Sequence, residues 1–502
     1  MKNLKSFLLI VGMIFFVGCK QTKYVVRIQP SFFNELTKFG VEKTIFQNEK
    51  ILIELSPEIS LQKDELRIGF LSSFIHQSDL LNEFSNQKNT QTIQNSDDCK
   101  TWIINQTAIF PCVKFQENPP TFLQAINERK ISFYKFDKIP QNMIALSFEK
   151  DGNKIYADDE NYPFFENKVG KLNILKLKQK KIRQKKDLLA YQELDNWYKK
   201  ISEQCKEDYI SPEIAFVAAA GDIMIARGVE DTMIWQKKPD SIFTTTLPIL
   251  KNNDITIGNL EGVVTNRWDN ATKTYTFKFK KKALPYLKDA GFDYFMLTNN
   301  HSYDYGEEGF KDTLKAFTEY DIKTSGAGLT KKDAEKWFYS TVKSQKIAIQ
   351  SCGAYPVERS GFNGKTTATA TDKRAGILWE GDDFVNLVKQ ESKNDSFIIV
   401  NVHGGQEYVT KPSSEQKKFY KKLCDSGAKV VFGSHPHVLQ PVEMYNGSLI
   451  VWSLGNFVFN GMQEMPGAQE SMIIRVGIIN NKLVYYEKYD AELDGMIVKL
   501  KN

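Results

Sequence analysis

Among 502 residues there are only five histidines: His76, His301, His403, His435 and His437. Two of them form His435-Pro436-His437, directly after an apolar run and a Gly433-Ser434 turn. Neutral imidazole is the commonest metal ligand, and two imidazoles one residue apart make a natural chelate. A lone histidine at a strand end is usually a hydrogen-bonded structural residue. Four in the C-terminal part, each after an apolar run or in a turn rich in Gly, Asn or Pro, are not sorted as scattered surface histidines would be. His76 stands apart and reads as structural or exposed.

Carboxylates and carboxamides follow the same placement. Gly221-Asp222, Asn259-Leu260-Glu261-Gly262, Asn299-Asn300-His301 with Asp304, His403 with Glu407, and the His-Pro-His turn each stand where an apolar strand is expected to end. Singly they are weak signals, because Asp and Asn also serve turns and helix caps. Together they count for more, since ligands of open α/β sheets bind in the crevice at the carboxyl ends of the strands. Oxygen and imidazole donors without thiolates suit Zn²⁺, Mn²⁺ or Fe, and two ions roughly 3.5–4 Å apart would clamp a phosphoryl group and activate a water.

The elements that must position these residues are legible from residue 211 onward. Apolar runs predict strands over 213–220, 254–258, 292–297, 346–351, 397–402 and 429–432. Helical spacing predicts helices over 241–251, 281–290, 309–320, 382–393 and 413–424. Such alternation defines a layered α/β fold. Beyond it the pattern turns antiparallel, with Asn446-Gly447 as a type I′ hairpin turn and strands over 472–479 and 482–489. A mixed sheet or a two-sheet sandwich flanked by helices accounts for both halves.

The N-terminal part is organised differently. Lys2 and Lys5, an apolar stretch over 7–16 and Val17-Gly18-Cys19 resemble a lipoprotein signal peptide over 1–19, with Cys19 as the lipidated residue. A plain cleaved signal and an uncleaved anchor are the alternatives. Residues 20–170 read as an accessory α/β domain of unknown role, with strands near 50–55 and 66–71, a polar loop over 82–94 and a helix near 120–126. Residues 171–205 read as a basic helical linker rich in lysine over 176–186, either a solvated face or a contact with anionic lipid or polymer. The second domain is then 206–502.

No later stretch is apolar for the ~20 residues of a spanning helix, so the chain is expected outside the cytoplasm, held to a bacterial membrane by lipid. A net charge of +6 over this length is too slight to name a polyanionic partner, and no nucleic acid is expected. Beyond Cys19 an odd number of cysteines remains, Cys99, Cys112, Cys205, Cys352 and Cys424, without metal-site spacing. Cys99 and Cys112 could pair.

Taken in order, Gly221-Asp222-Ile223-Met224, Asn259 to Gly262, Asn299-Asn300-His301 with Asp304 and Gly306, His403 with Glu407, His435-Pro436-His437-Val438 with Gln440-Pro441 and Glu443, and Ser453-Leu454-Gly455-Asn456-Phe457 resemble the motifs of the CapA capsule synthesis, or poly-γ-glutamate synthesis, family. That family is related to calcineurin-like metallophosphoesterases. The resemblance covers about residues 212–465. It implies a four-layer αββα sandwich of metallophosphoesterase type behind the smaller accessory domain. It also implies Asp222, Glu261, Asn300, His403, His435 and His437 as ligands of one or two divalent ions, Mn, Zn, Fe or Mg. His301 would be the general acid beside a substrate phosphate or carboxylate, with Asn259, Asn299, Asp304, Glu407, Glu443 and Asn456 as substrate-binding residues. Three positions depart from the pattern: Met224 where metallophosphoesterases carry a histidine, Gly404 where the family commonly has Trp, and Ser434 where a third histidine often stands.

Three functions follow as expectations. The first is a membrane-tethered protein acting in synthesis, export or anchoring of an anionic capsule-type polymer through a metal-binding cleft. The second is a scaffold or polymer-binding subunit of an export complex that does no chemistry, and the third is a general metallophosphoesterase.

Overall fold

The computed structural model describes residues 213–501 without interruption, 109–159 with a few positions excepted, the segments 22–27, 42–56, 66–72 and 172–174, and some positions of 188–200. The signal-like segment with Cys19, His76, the polar loop over 82–94, Cys99, Cys205 and the lysines over 176–186 lie outside the described residues. The chain divides into two compact units. One holds the described residues of Met1–Ala108, Phe148–Ile155 and Asp159–Ser211; the other holds those of Ile109–Ser147, Tyr156–Asp158 and Pro212–Asn502.

In the first unit Thr22–Arg27 pairs in parallel with both Ile51–Ser56 and Leu66–Ser72. Leu172–Ile174, at the start of the segment expected as a helix, is instead a strand antiparallel to Leu66–Ser72, while the described positions over 188–200 are helical. Ile51, Ile53 and Leu55 alternate with less buried neighbours, as a half-buried strand requires.

The second unit is built on two sheets. The chain enters at β1 (Ala215–Met224), passes helix α1 (Val229–Gln236), β2 (Ile255–Leu260), α2 (Leu284–Asp289), β3 (Tyr294–Met296) and α3 (Gly306–Glu319), and then forms β4 (Phe338–Val342) and β5 (Gln345–Ala354). It continues through α4 (Asp382–Glu391), β6 (Phe397–Gly404), α5 (Ser414–Asp425), β7 (Val430–Ser434), β8 (Leu439–Tyr445), β9 (Ser448–Leu454) and β10 (Asn456–Phe459). The chain closes with β11 (Glu470–Ile479), β12 (Lys482–Asp494) and β13 (Ile497–Leu500). The first sheet runs β3-β2-β1-β11-β12-β13, with β10 also pairing β1; the second runs β4-β5-β6-β7-β9-β8. Parallel pairs β1/β2, β2/β3, β5/β6 and β6/β7 are joined through helices, β7 and β9 are joined through strand β8, and short turns close the antiparallel pairs β4/β5, β8/β9, β11/β12 and β12/β13.

Burial explains the layering. β1 and β6 are buried along their whole length, as continuous apolar runs covered on both faces demand. Val217, Ile257 and Ile474 of the first sheet share a core with Ile349, Ile399, Phe432 and Val451 of the second. On its other face the first sheet packs with Val229, Leu287, Phe310 and Phe317 from helices. The second sheet packs with Phe384, Val388, Phe419 and Leu423 of α4 and α5. Helices α3, α4 and α5 therefore bury one stripe each and leave the other wet.

Differences from the expected elements have local causes. The helix expected over 241–251 is three pieces, Asp240–Phe243, the 3₁₀ turn Thr244–Thr246 and Leu247–Lys251. Thr244 takes a left-handed φ of 35° and its hydroxyl donates to the Val498 carbonyl at 2.6 Å, so a tertiary bond breaks the helix. The 446–447 turn does close a two-residue hairpin, with Tyr445 opposite Ser448 and φ of 48° and 81° at Asn446 and Gly447. Among the described residues no helix is long and apolar enough to cross a membrane. Cys112, Cys352 and Cys424 are buried free thiols.

Candidate metal centre

Asp222 does not end its strand, as the Gly221 signal suggests; β1 runs on to Met224. β1 leaves β11 after Ala219 and runs beside β10 from Asp222, opposite Asn456, and its ladder with β2 is bulged over the same stretch, between Ala219 and Asp222. Gly221 serves that exchange rather than a turn, because a Cβ there would stand 2.1 Å from the Gly455 carbonyl oxygen. The carboxylate of Asp222 is thereby delivered, fully buried, to the carboxyl edge of the sheet.

Neighbouring strand ends converge on it. Asn259 Nδ2, at the end of β2, donates to Asp222 Oδ1 at 2.8 Å and lies 3.1 Å from His403 Nδ1 of β6. Asn299 Nδ2 donates to Asn259 Oδ1 at 2.9 Å and to the Leu260 carbonyl at 2.8 Å, fixing that carboxamide. His403 Nε2 stands 3.0 Å from Asn300 Oδ1 and 3.2 Å from His435 Nδ1. His437 Nδ1 lies 2.9 Å from Asn456 Oδ1 and 3.3 Å from Asp222 Oδ2, and its Nε2 lies 3.7 Å from Glu261 Oε1. The backbone of the His-Pro-His turn is strained, with φ of 98° at His435 and 58° at His437, a conformation that non-glycine residues hold only when their surroundings impose it.

Among the described residues Asp222, Glu261 and His403 offer ligand atoms within 4.8 Å of one another, all buried. Glu261 Oε1 and His435 Nε2 are buried without a hydrogen-bond partner. An unpaired buried polar atom costs about 1–3 kcal/mol, so two in one cluster, a carboxylate oxygen and an imidazole nitrogen, fit a site able to receive an ion. Burial, helped by the neighbouring imidazoles, holds His403 and His435 well below the usual histidine range, so both are neutral donors. Burial and the Asp222 charge raise Glu261 well above the usual carboxylate range. Burial alone would lower His437, but the carboxylates of Glu261 and Asp222 outweigh it and push the imidazole up to about 10.

The remaining expected residues divide. His301 stacks on Phe277 at 4.3 Å, its Nδ1 lies 2.7 Å from Asp304 Oδ2, and its Nε2 lies 3.9 Å from Glu261 Oε1. Glu407 is exposed, and its charge acts on Glu261 and His437. Glu443 is not brought to the cluster: its carboxylate accepts from Trp452 Nε1 at 3.2 Å and pairs with Lys421 at 3.0 Å, and the Trp452 ring belongs to the helix-side core. Met224 is fully buried in the apolar core on the other side of the first sheet. At Gly404 a Cβ would meet the Ala354 carbonyl at 2.6 Å, so a side chain has no room there.

Lys273 and Glu358 carry no sequence signal. Lys273 sits in a Thr-rich stretch that reads as surface, yet its side chain is wholly buried. Its amine donates to the Asn300 carbonyl at 2.7 Å and pairs with Asp304 at 2.6 Å and Glu358 at 2.8 Å. It thereby balances the carboxylate that holds His301.

An α/β protein with a buried cluster of carboxylates and imidazoles suited to a divalent ion is the class that these observations define. Residues 216–461 match the family described as bacterial capsule synthesis protein PGA_cap. Over 274 residues the chain is 35% identical to the PGA biosynthesis protein CapA of Bacillus subtilis (strain 168), covering 54% of this chain and 70% of that one. It is also 35% identical to the capsule biosynthesis protein CapA of Bacillus anthracis, over 52% of this chain and 63% of the relative. A probable polyglutamine synthesis accessory protein of Mycobacterium tuberculosis is 23% identical over 49% of this chain and 75% of its own. The chain belongs to the PGA_cap family of bacterial capsule synthesis proteins.

Proposed function

We propose that this protein acts in the synthesis, export or anchoring of a poly-γ-glutamate-like anionic polymer, through a divalent ion held in the cleft at the carboxyl ends of β1, β2, β6 and β7. Supporting the polymer are the names of the Bacillus relatives. The observation that carries the metal reading is the buried Asp222, Glu261 and His403 set with Glu261 Oε1 and His435 Nε2 left without partners. His437 and Asn300 complete the ligands, and Mn, Zn, Fe or Mg fits this thiolate-free set. When bound, such an ion would polarise an anionic oxygen of the substrate. Burial lowers the His301 imidazole below the usual histidine range and Asp304 accepts its Nδ1–H, so Nε2 is a bare acceptor that would serve as the general acid only after taking a proton from a water or a substrate hydroxyl, with Phe277 packed on the ring face. The two sheets with helices on their outer faces are read as the four-layer metallophosphoesterase sandwich. The signal-like segment supports a chain outside the cytoplasm on a lipid at Cys19, with residues 20–170, 171–205 and 206–502 read as accessory domain, basic linker and CapA-like metallophosphoesterase-fold domain.

A second reading, a scaffold that keeps the cleft without chemistry, draws on Met224, whose burial in the apolar core removes a ligand from one ion position. Metal analysis of the purified chain separates the two. Wild type is expected to carry a stoichiometric divalent ion, and His435→Ala to lose it and fail to restore surface polymer in cells lacking the wild-type gene. A metal-free wild type together with a fully complementing variant would sink the enzymatic reading.

A further inference from the structure

At the mouth of the cluster stands a rim that the expected site residues do not include. Arg227 follows β1 in a left-handed backbone, φ 55°, paired with Gly228 at φ 89°. Backbone strain at a bulky residue is tolerated where the surroundings fix the side chain. Here Arg227 donates to the Asn460 carbonyl at 2.9 Å, and Asn460 Nδ2 returns a bond to the Arg227 carbonyl at 2.9 Å. The guanidinium carbon lies 5.0 Å from the centre of the Phe277 ring and 5.7 Å from that of Tyr275. Phe277 is the ring that packs on His301, at 4.3 Å, and it meets Phe459 edge-on at 5.8 Å. Phe459 in turn meets His437 at 5.0 Å, and Tyr408 lies 6.1 Å from His437 on the same mouth.

Tyr275 and Tyr408 are 62% and 39% exposed, high for aromatic side chains beside a buried cluster. Glu407, Glu261, Tyr275 and Arg227 all lie within electrostatic reach of the Tyr408 hydroxyl. Arg227 makes no ion pair with a carboxylate among the described residues. Among the described residues its fork of donors is therefore a charge without a counter-ion, beside the Tyr275 ring and over the Phe277 ring. Glu407, the exposed acid of the same mouth, disfavours an anion on its own side and leaves the Arg227 side as the entry.

We propose that Arg227, with Tyr275 and Tyr408, binds an oxyanion of the substrate next to the reacting group, and so selects an acidic chain over a neutral one. Planar guanidinium recognises carboxylate and phosphate through paired N–H donors, and phenols add hydroxyl contacts. The inference rests on the reading of the cluster as the place where substrate is held. It names the residues and the charge of what enters.

The test is binding of three probes to the full chain, with and without Mn²⁺: a short γ-linked glutamate oligomer, its side-chain amide, and a phosphodiester. Wild type is expected to bind an acidic probe with an affinity that falls with added salt. Arg227→Gln should weaken it about tenfold, the loss of one charge-assisted contact, and Arg227→Lys should restore part. Binding of the glutamate oligomer assigns the oxyanion as carboxylate; binding of the phosphodiester alone assigns it as phosphate. Equal binding of the amide and the acid, equal binding by Arg227→Gln and wild type, or no binding of either acidic probe would overturn the proposal. Mn²⁺ uptake is read in the same samples: absent Mn²⁺ uptake with an Arg227-dependent acidic probe refutes the metal reading and leaves this one standing.

Discussion

At this cluster a proton would compete with a divalent ion. Burial and Asp222 raise Glu261, while Glu261 and Asp222 override burial and push His437 up to about 10, so the His437 imidazole carries a proton at neutral pH. His403 and His435, lowered by burial and by neighbouring imidazoles, contribute none. Coordination by Glu261 and His437 leaves no place for that proton, so binding releases it. Because His437 is protonated below about 10, acid opposes the ion, and Mn²⁺ affinity should rise up to about tenfold per pH unit between about pH 6 and about pH 9. Calorimetry in buffers of different ionisation enthalpy reads the released proton directly. A pH-independent affinity with no proton release would count against His437 and Glu261 as ligands.

At the scale of elements, the cleft depends on two strands meeting where side chains are missing. Gly221 and Gly455 let β1 leave β11 and run beside β10, and a methyl at Gly221 would sit 2.1 Å from the Gly455 oxygen. Gly221→Ala should therefore cost about 1–3 kcal/mol of stability as overpacking, and weaken Mn²⁺ binding because Asp222 and Asn456 are carried on the displaced pair. Denaturant unfolding and metal titration check both, and unchanged values in the two would refute the exchange of partners as the device that sets Asp222. Helix and strand positions were legible because their apolar periods are local properties. The strand through Asp222 was misread as ending early because the Gly-Asp signal of a turn is also that of a close approach between strands. The broken helix over 240–251 was unreadable because the Val498 carbonyl that captures Thr244 is distant in sequence.

For the second unit as a whole, Arg475 fastens Tyr156 to the sheet. Its guanidinium pairs with Glu487 at 3.0 Å, bonds the Tyr156 hydroxyl and lies 3.7 Å over the Phe216 ring, with both charged side chains below a tenth exposed. Tyr156 also donates to Glu487 at 2.7 Å. Removing one partner leaves the other charge buried, so Arg475→Met should lose about 3–5 kcal/mol, and Arg475→Met with Glu487→Leu should recover much of it. Chemical denaturation measures this, with Mn²⁺ affinity expected to hold because neither residue belongs to the cluster. A single variant as stable as wild type would show that the pair contributes nothing net.

By itself the sequence determined the family and the order of its motifs, since these depend on residue type and on spacing along the chain. It determined the alternation of strands and helices for the same reason, each apolar period being local. Tertiary structure alone decided which donors meet. Asn300, His403 and His435 come within about 3 Å only because β6 and β7 lie in register beside each other and opposite the loop after β3. It also removed Glu443 to the helix-side face and buried the Lys273 side chain against Asp304 and the half-buried Glu358. Convergence across long sequence separations has no local signature, because it is set by sheet register and by the shared core between the sheets.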